Sequence, residues 1–409
     1  MPTESAFSVV RQAGYANPNK LASQLCRRST KIDQPLMKSH SHSHPFALVI
    51  LLVLVAGVLA TWAQPCVAAP FRFMPIDSLA HARASHTATL LPDGRVLVAG
   101  GANVVALASA ELYDPVSGTW TDTNSLNTPH AGHTATLLSD GKVLVAAGVD
   151  GQGFTASAEL YDPATGLWTP TGSLRVARSN HTATLLHDGR VLVAGGDDAG
   201  GATASAELYD PANGTWTLTG RLVMARNSHT ATLLPDGKVL VAGGQAPSLY
   251  FLRSAELYDP GSGMWTLTRD LHGPVGHHRA VLQLDGRALV VGGIGNLSHF
   301  KRAEVYDPAS GTWSLTGQAR AEVYDPTATL IPDGTVLVTG GSQFAIFGTA
   351  RAEIYDPARA EWATTGSLTT QRRGHTATLL PNGQVLVAGG VDKVGIAMAT
   401  AELGTSQGQ

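Results

Sequence analysis

Cysteine is nearly missing from this chain. Its 409 residues hold two, Cys26 and Cys66, both ahead of the main body, so no disulfide framework staples that body. Charge is sparse as well: Asp, Glu, Lys and Arg make up 14% of the residues and the net charge is −3, against ~25% charged residues in an ordinary soluble domain. With no excess of Lys and Arg and no basic stripe, nothing points to a nucleic-acid partner. The body also lacks a nucleophile elbow, a P-loop and a dinucleotide fingerprint. What the chain has is 44% hydrophobic residues and 45 glycines. That is enough apolar mass for a large core, and the wealth of Val, Leu, Thr and Gly predicts an all-β protein held by packing and closure alone.

Long apolar runs are missing too, with one exception. Residues 46–60 read FALVILLVLVAGVLA. This run is shorter than the ~20 residues of a typical membrane-crossing helix and is followed by small residues at Thr61-Trp62-Ala63 and Val67-Ala68-Ala69, the pattern of an export signal. Gln64 and Pro65 stand where a lipobox would need small residues, which disfavours a lipoprotein. Met37-Lys38 offers a second start with a short basic lead. The expected layout is therefore a non-native or disordered extension over 1–36, a signal peptide or membrane anchor over 37–69, and the folded body over 70–409. A body exported in this way is secreted, periplasmic or held at the cell surface, and touches a membrane only through that anchor. The alternating His40, His42 and His44 read as a polar lead rather than as metal ligands.

The body is a repeat, which fixes architecture before any local detail. One pattern recurs, R-x-x-H-T-A-T-L-L-x-D-G-x-V-L-V-A-G-G, then a variable stretch, then A-E-L-Y-D-P-x-x-G-x-W-x-x-T-G. Its histidine position falls at His86, His133, His181, His229, His278, Pro326 and His375, at spacings of 47 to 49 residues. Each unit predicts four strands: HTATLL, VLVAGG, AELYDP and WTLTG. Asp-Gly pairs such as Asp93-Gly94 and Asp236-Gly237 join the first two, a hairpin signal because the tight turn needs positive φ. The unbroken VLVA run predicts burial on both faces. Four antiparallel strands per unit make a propeller blade.

The Gly-Gly pairs (Gly100-Gly101, Gly195-Gly196, Gly243-Gly244, Gly292-Gly293, Gly340-Gly341 and Gly389-Gly390, with Ala147-Gly148 in the second unit) are followed in the first six units by a Tyr and a Trp, as in Tyr113 and Trp120 or Tyr209 and Trp216. This combination resembles the Kelch repeat, over nearly all of the body. The resemblance implies a seven-bladed Kelch-type β-propeller. The last unit stops at Ala401-Glu402-Leu403-Gly404 without its Trp strand, while Phe71-Arg72-Phe73-Met74 carries the register of a fourth strand. An N-terminal strand is thus expected to complete the seventh blade, with Phe73 at the Trp position, removing the open edges.

A catalytic group is needed once, so residues that recur in every blade read as structural. Glu111, Glu159, Glu207, Glu256, Glu304, Glu353 and Glu402 sit in apolar strands, where an unpaired carboxylate is costly. They are expected to pair with Arg83, Arg178, Arg226 and Arg372 or with backbone amides; units two, five and six lack the arginine and need other partners. The Gly pairs are expected to admit close packing, and the Trp and Tyr to pack between blades. Unit six departs from the pattern, because residues 320–326 repeat residues 302–308 letter for letter. That reads as recombination between repeats.

Function on such a scaffold sits in its loops. The variable stretches after Gly-Gly differ most between units, and three of them gather aromatic and basic groups: Tyr250, Phe251 and Arg253; His299, Phe300 and Lys301; Phe344 and Phe347. These are the candidate ligand-binding residues, and the Kelch resemblance implies that their loops share a face with the connections between blades. Asp150, Asp197, Asp198 and Asp392 fall in corresponding loops but without calcium-loop spacing. No metal, cofactor or catalytic residue is therefore assigned. The expected function is a monomeric interaction module that grips an extracellular protein or a glycan. The alternative is a secreted carbohydrate-active enzyme, similar to a Kelch-type sugar epimerase or an atypical oxidase. The repeats are also similar to those of the galactose oxidase and glyoxal oxidase family, which implies a copper site with a Tyr-Cys crosslink, a second Tyr and two His. A body without Cys cannot form that crosslink. A sialidase Asp-box is excluded by the spacing of Asp and Gly in D-P-x-x-G-x-W.

Overall fold

A computed structural model describes residues 70–296, 303–319, 323–343 and 347–406. The expectations for residues 1–69, including the export segment and both cysteines, lie outside the described residues.

Seven four-stranded antiparallel sheets follow one another along the chain, as the repeat predicts. In the first blade the strands are Thr87–Leu90, Val96–Ala99, Ala110–Asp114 and Thr119–Thr123. The innermost strands of successive blades neighbour one another around the ring, the last against the first. The Asp-Gly hairpin is a turn in which Gly94 N–H returns to the Leu91 carbonyl and Gly94 alone takes positive φ, +89°. Asp93 keeps ordinary backbone and caps the Arg95 amide with its carboxylate at 3.0 Å. The VLVA strands are buried along their whole length in the first blade and its equivalents.

Blades adhere through aromatic side chains. Tyr161 and Trp168 of the second blade pack on Leu97, Ala99, Leu112 and Leu126 of the first. Each polar tip is anchored: the Tyr161 hydroxyl meets Thr123 Oγ1 at 3.0 Å, and Trp168 Nε1 donates to the Asn124 carbonyl at 2.8 Å. The same apolar packing recurs around the ring until Val96, Val98 and Tyr113 of the first blade pack on Leu380, Leu386 and Ala388 of the seventh, where the Tyr113 hydroxyl has no hydrogen-bond partner among the described residues. That seventh blade is completed by Phe71–Ile76, which pairs antiparallel with Ala401–Ser406. Phe73 lies opposite Gly404, the place where Trp120 faces Tyr113 in the first blade. A Cβ on Gly404 would meet the Phe73 ring at 2.6 Å, so the missing tyrosine side chain is what lets the phenylalanine ring lie down.

The repeated ions are clamps. Arg83 is fully enclosed; it donates to the carbonyls of Gly100 (2.7 Å) and Ser109 (2.9 Å) and to Glu111 Oε1 (2.7 Å). Glu111 in turn accepts from the Ala80 and His81 amides. The clamp thus fastens the connection entering a blade onto that blade's second and third strands. It recurs as Arg178–Glu207 (2.9 Å), Arg226–Glu256 (2.6 Å) and Arg372–Glu402 (2.8 Å). Where arginine is missing from the second unit, His130 stands in its place and meets the Ala147 carbonyl at 2.7 Å. Burial pushes the Glu159 carboxyl up, but His130 and the Asn127 and Thr128 donors outweigh it and hold the group below its usual value. In the fifth unit His272 reaches Glu304 at 2.9 Å.

A second belt links blade to blade. The imidazole Nε2 of His133, His181, His229, His278 and His375 meets the Oγ1 of Thr87, Thr134, Thr182, Thr230 and Thr327 of the preceding blade, and His86 meets Thr376. Burial holds His86, His181 and His278 down to about 3, and the rest well below their usual value. The rings are neutral in the folded protein.

One junction lacks these fixtures. Between the fifth and sixth blades Arg279 replaces the threonine and Pro326 the histidine, so both halves of a single Thr–His bond are gone together. Val323 stands where the clamp arginine would be, and the enclosed Trp362 Nε1 finds no acceptor among the described residues, whereas Trp313 Nε1 donates to the Arg269 carbonyl.

Three outcomes are expected. Arg178→Met, which strands Glu207 without its counter-ion, should lower unfolding free energy in urea by about 3 kcal/mol or more, and Arg178→Met with Glu207→Leu should recover part of it. A single-mutant loss under about 1 kcal/mol would show that the clamp contributes little. Because the folded imidazoles bind protons far below the unfolded value near 6.5, their stabilisation is complete above pH 6.5 and drains as pH falls toward 3, by about 1.4 kcal/mol per pH unit for each histidine. Melting temperature should therefore drop steeply between pH 6.5 and 5, before carboxylates titrate; a flat profile there would contradict neutral buried rings. Finally, amide exchange should open first at the junction of the fifth and sixth blades, and uniform protection across all seven junctions would refute this.

Candidate binding site at the mouth of the ring

The residue before each belt histidine, or before Pro326 in the sixth unit, is Ser85, Gly132, Asn180, Ser228, His277, Asp325 and Gly374. All seven have positive φ, between 49° and 60°. Ser, Asn, Asp and Gly are the residues that tolerate this left-handed backbone. Their amides and carbonyls join in sequence around the axis: Gly132 N–H donates to Ser85, Asn180 to Gly132, Ser228 to Asn180, His277 to Ser228, Asp325 to His277, and Ser85 to Gly374, at 3.0–3.3 Å. At ~4.8 Å per strand-like step, seven such residues frame a mouth roughly 11 Å across. The variable loops reach the same face, because each of these connections bridges to the loop after Gly-Gly of its own blade, as in Ala84 with Ala102, Asn227 with Gln245 and Tyr324 with Ser342.

In the first two blades the residues at this mouth are small, Ala84 with Ser85 and Ala131 with Gly132. From the third blade to the seventh they are not, and what they bring occurs once each. Phe251 lies edge-on to His277 with centroids 6.4 Å apart, and His277 lies against Tyr324 at 4.6 Å. Phe251 is fixed by Asn296, which accepts its amide at 2.7 Å and donates to its carbonyl at 3.3 Å. Arg279, in the vacated threonine place, pairs with Asp325 at 2.5 Å. Across the mouth Asp197 accepts from Asn227 at 2.6 Å and from Asn180 at 3.2 Å. Burial pulls the His277 imidazole down, with Asp325 and Asp197 acting against it and Arg279 with it. Burial and Asp325 raise the Tyr324 phenol, opposed by Arg373 and Arg279.

The sequence-derived candidates separate. Phe251 belongs to the mouth, where its ring edge occupies the space a side chain on Gly276 would need. Tyr250 is exposed at the loop tip. Arg253 points away and pairs with Asp270 at 3.0 Å, beside an open cleft of about 600 Å³ that His272 and Trp313 also line. Phe347 lies in the short strand Phe347–Gly348, and His299, Phe300, Lys301 and Phe344 lie outside the described residues. Of the loop aspartates, Asp150, Asp198 and Asp392 cap the turn amides of Gln152, Gly200 and Val394 and do not converge. His81, Glu111 and Asp122 approach one another closely enough for a cation, but Glu111 is already engaged by Arg83 and two amides.

Sequence reasoning did not reach His277, Arg279, Tyr324, Asp325 or Arg373. The signal was present for Arg279, which stands where every other unit has threonine; the positions of His277, Tyr324, Asp325 and Arg373 vary from unit to unit.

Comparison with known proteins places the architecture. The model of the KLHDC2/KLHL20/DRC7 Kelch-repeats domain matches residues 180–390, and the Kelch motif matches residues 83–127 and 131–175. No curated protein matches the chain. Among solved structures, a novel fungal alcohol oxidase with catalytic diversity among the AA5 family, in complex with copper, is similar at 21% identity, over 83% of this chain and 77% of that one, with a TM-score of 0.67. At that identity the likeness shows the fold alone. The repeat, its seven closed blades and a family model that spans more than half of the sequence agree: the chain belongs to the Kelch-repeat β-propellers.

Proposed function

We propose that this protein is an exported interaction module that takes its partner, an extracellular protein or a glycan, at the mouth of the ring. One observation carries the reading. The clamp, the belt and the Tyr–Trp pairs repeat with the blades and serve packing, whereas the cluster of Phe251, His277, Tyr324, Arg279 and Asp325 occurs once, half-exposed, on the face where the variable loops gather. Binding sites favour aromatic and arginine side chains on a rigid frame, and this frame is held by the backbone ring beneath.

An enzyme reading has one outside prompt, the copper in the similar fungal oxidase. The residues here do not fit that metal. Six imidazoles are spent on threonine hydroxyls of neighbouring blades, residues 70–409 have no cysteine, and among the described residues the mouth offers a single histidine, His277, beside a single tyrosine, Tyr324. No step is derived through copper.

The test is an array of extracellular proteins and glycans probed with the full chain and with a Phe251→Ala, His277→Ser, Tyr324→Ala variant. Serine is the residue the equivalent position carries in two other blades, so His277→Ser keeps the left-handed backbone feasible. At least tenfold weaker binding with an unchanged melting temperature is expected, and Arg253→Ser on the outer cleft should bind as the parent does. Equal binding by the folded triple variant would move the site off the mouth.

A further inference from the structure

The repeat is broken a second time at the outer cleft, where the fourth blade meets the fifth. Just past the outermost strand of a blade, Gly172, Gly220 and Gly366 hold equivalent positions in the second, third and sixth units. Each donates its N–H to a carbonyl of the following blade, that of Gly214, Gly263 or Phe71, at 3.0–3.1 Å. A Cβ on any of the three would lie 2.1–2.3 Å from that same oxygen, so this tight contact between blades requires glycine. In the first blade Asn124 makes the contact with its side chain instead, Nδ2 donating to the Gly166 carbonyl at 2.9 Å. The equivalent residue in the fourth unit is Arg269. Among the described residues it makes neither bond, and here the junction opens into the cleft of about 600 Å³ that Arg253, Arg269, Asp270 and His272 help to line.

The other charged walls depart from the repeat as well. Arg253 stands where Ala108, Ala156, Ala204, Ala350 and Ala399 pack against apolar neighbours, and Asp270 where Ser125, Ser173 and Ser367 stand. Val275 replaces the clamp arginine of this unit, so His272 spends Nδ1 on Glu304 at 2.9 Å. Arg253 donates Nε–H to Asp270 Oδ2 at 3.0 Å. Its two terminal nitrogens, and Asp270 Oδ1, make no other hydrogen bond among the described residues.

We propose that this cleft is a binding site for inorganic phosphate in its singly protonated form. It is separate from the mouth and does not depend on what the mouth binds. A guanidinium presents planar, paired N–H donors that suit the oxygens of a phosphate, and two of them line this one cleft. Asp270 decides which oxyanion is taken. A carboxylate repels sulfate, which has no hydrogen to offer. Hydrogen phosphate near neutral pH keeps one O–H, which can donate to Asp270 Oδ1. The acid that would weaken a general anion site therefore selects a protonated one.

Calorimetric titration of the full chain with orthophosphate, sulfate and glucose 6-phosphate near neutral pH tests the assignment. Orthophosphate is expected to bind at least tenfold more tightly than either of the others. Arg253→Ala and Arg269→Gly each restore the residue that other units carry, so both should melt no lower than the parent while binding phosphate at least tenfold more weakly. Asp270→Asn should erase the preference for phosphate over sulfate. Sulfate binding as tight as phosphate, tighter binding of glucose 6-phosphate, or undiminished affinity in the folded Arg269→Gly variant overturns the proposal, and so does a parent protein that takes up no orthophosphate.

Discussion

Ring closure governs this molecule. Each blade is a four-stranded sheet too small to bury its own faces, and it gains its core only by laying Tyr and Trp, or in the seventh blade Phe71 and Phe73, on the blade before it. Such a chain of dependences is satisfied when the last blade also becomes the support of the first. The strand Phe71–Ile76 achieves this by completing the seventh sheet with residues from the opposite end of the body. The two ends of the folded body are thereby hydrogen-bonded to each other, and no blade is left with an unsupported aromatic face.

Closure explains why buried charge is tolerated so often. Four arginines are almost completely enclosed, which costs several kcal/mol each when the geometry is imperfect. Here every guanidinium meets two carbonyls as well as its glutamate. Burial pulls the Arg178 guanidinium down from its ordinary value while Glu207 raises it again. An apolar pair could replace the ions, but it could not hold a connection and two strands in fixed directions. The ionic clamp sets the course of the linker, and the linker sets the ring of left-handed residues above it.

The fold was legible because repetition averages away local ambiguity. Six copies each of Asp-Gly and of Gly-Gly identify turns that one copy would leave open, and the register of Phe73 against the absent Trp strand followed from counting. The clamp glutamates were legible for the same reason, since a carboxylate in an apolar strand demands a partner wherever it recurs. The mouth was harder to read. Its defining feature is a backbone conformation, and Ser85, Asn180 and Asp325 differ in every respect but their tolerance of positive φ. Attention to the most variable loops found Phe251 but missed Tyr324 and Arg279, which lie within the repeated frame. The linkage of Arg279 with Pro326 is visible only once the threonine of one blade is known to touch the histidine of the next.

The string Val-Tyr-Asp-Pro occurs at residues 305–308 and again at 323–326. In the first place Tyr306 is a buried strand residue with Trp313 across from it, and Asp307 caps a turn amide. In the second, Tyr324 is a half-exposed ring on the axis and Asp325 turns left-handed to hold an arginine. Identical words carry different meanings because position in the ring, not local preference, assigns the conformation. A closed ring can thus accept a borrowed phrase of the right length without losing its grammar, and the borrowed phrase becomes surface with new chemistry. The raw material for a new specificity in this scaffold is its own core, transposed by a fraction of one blade.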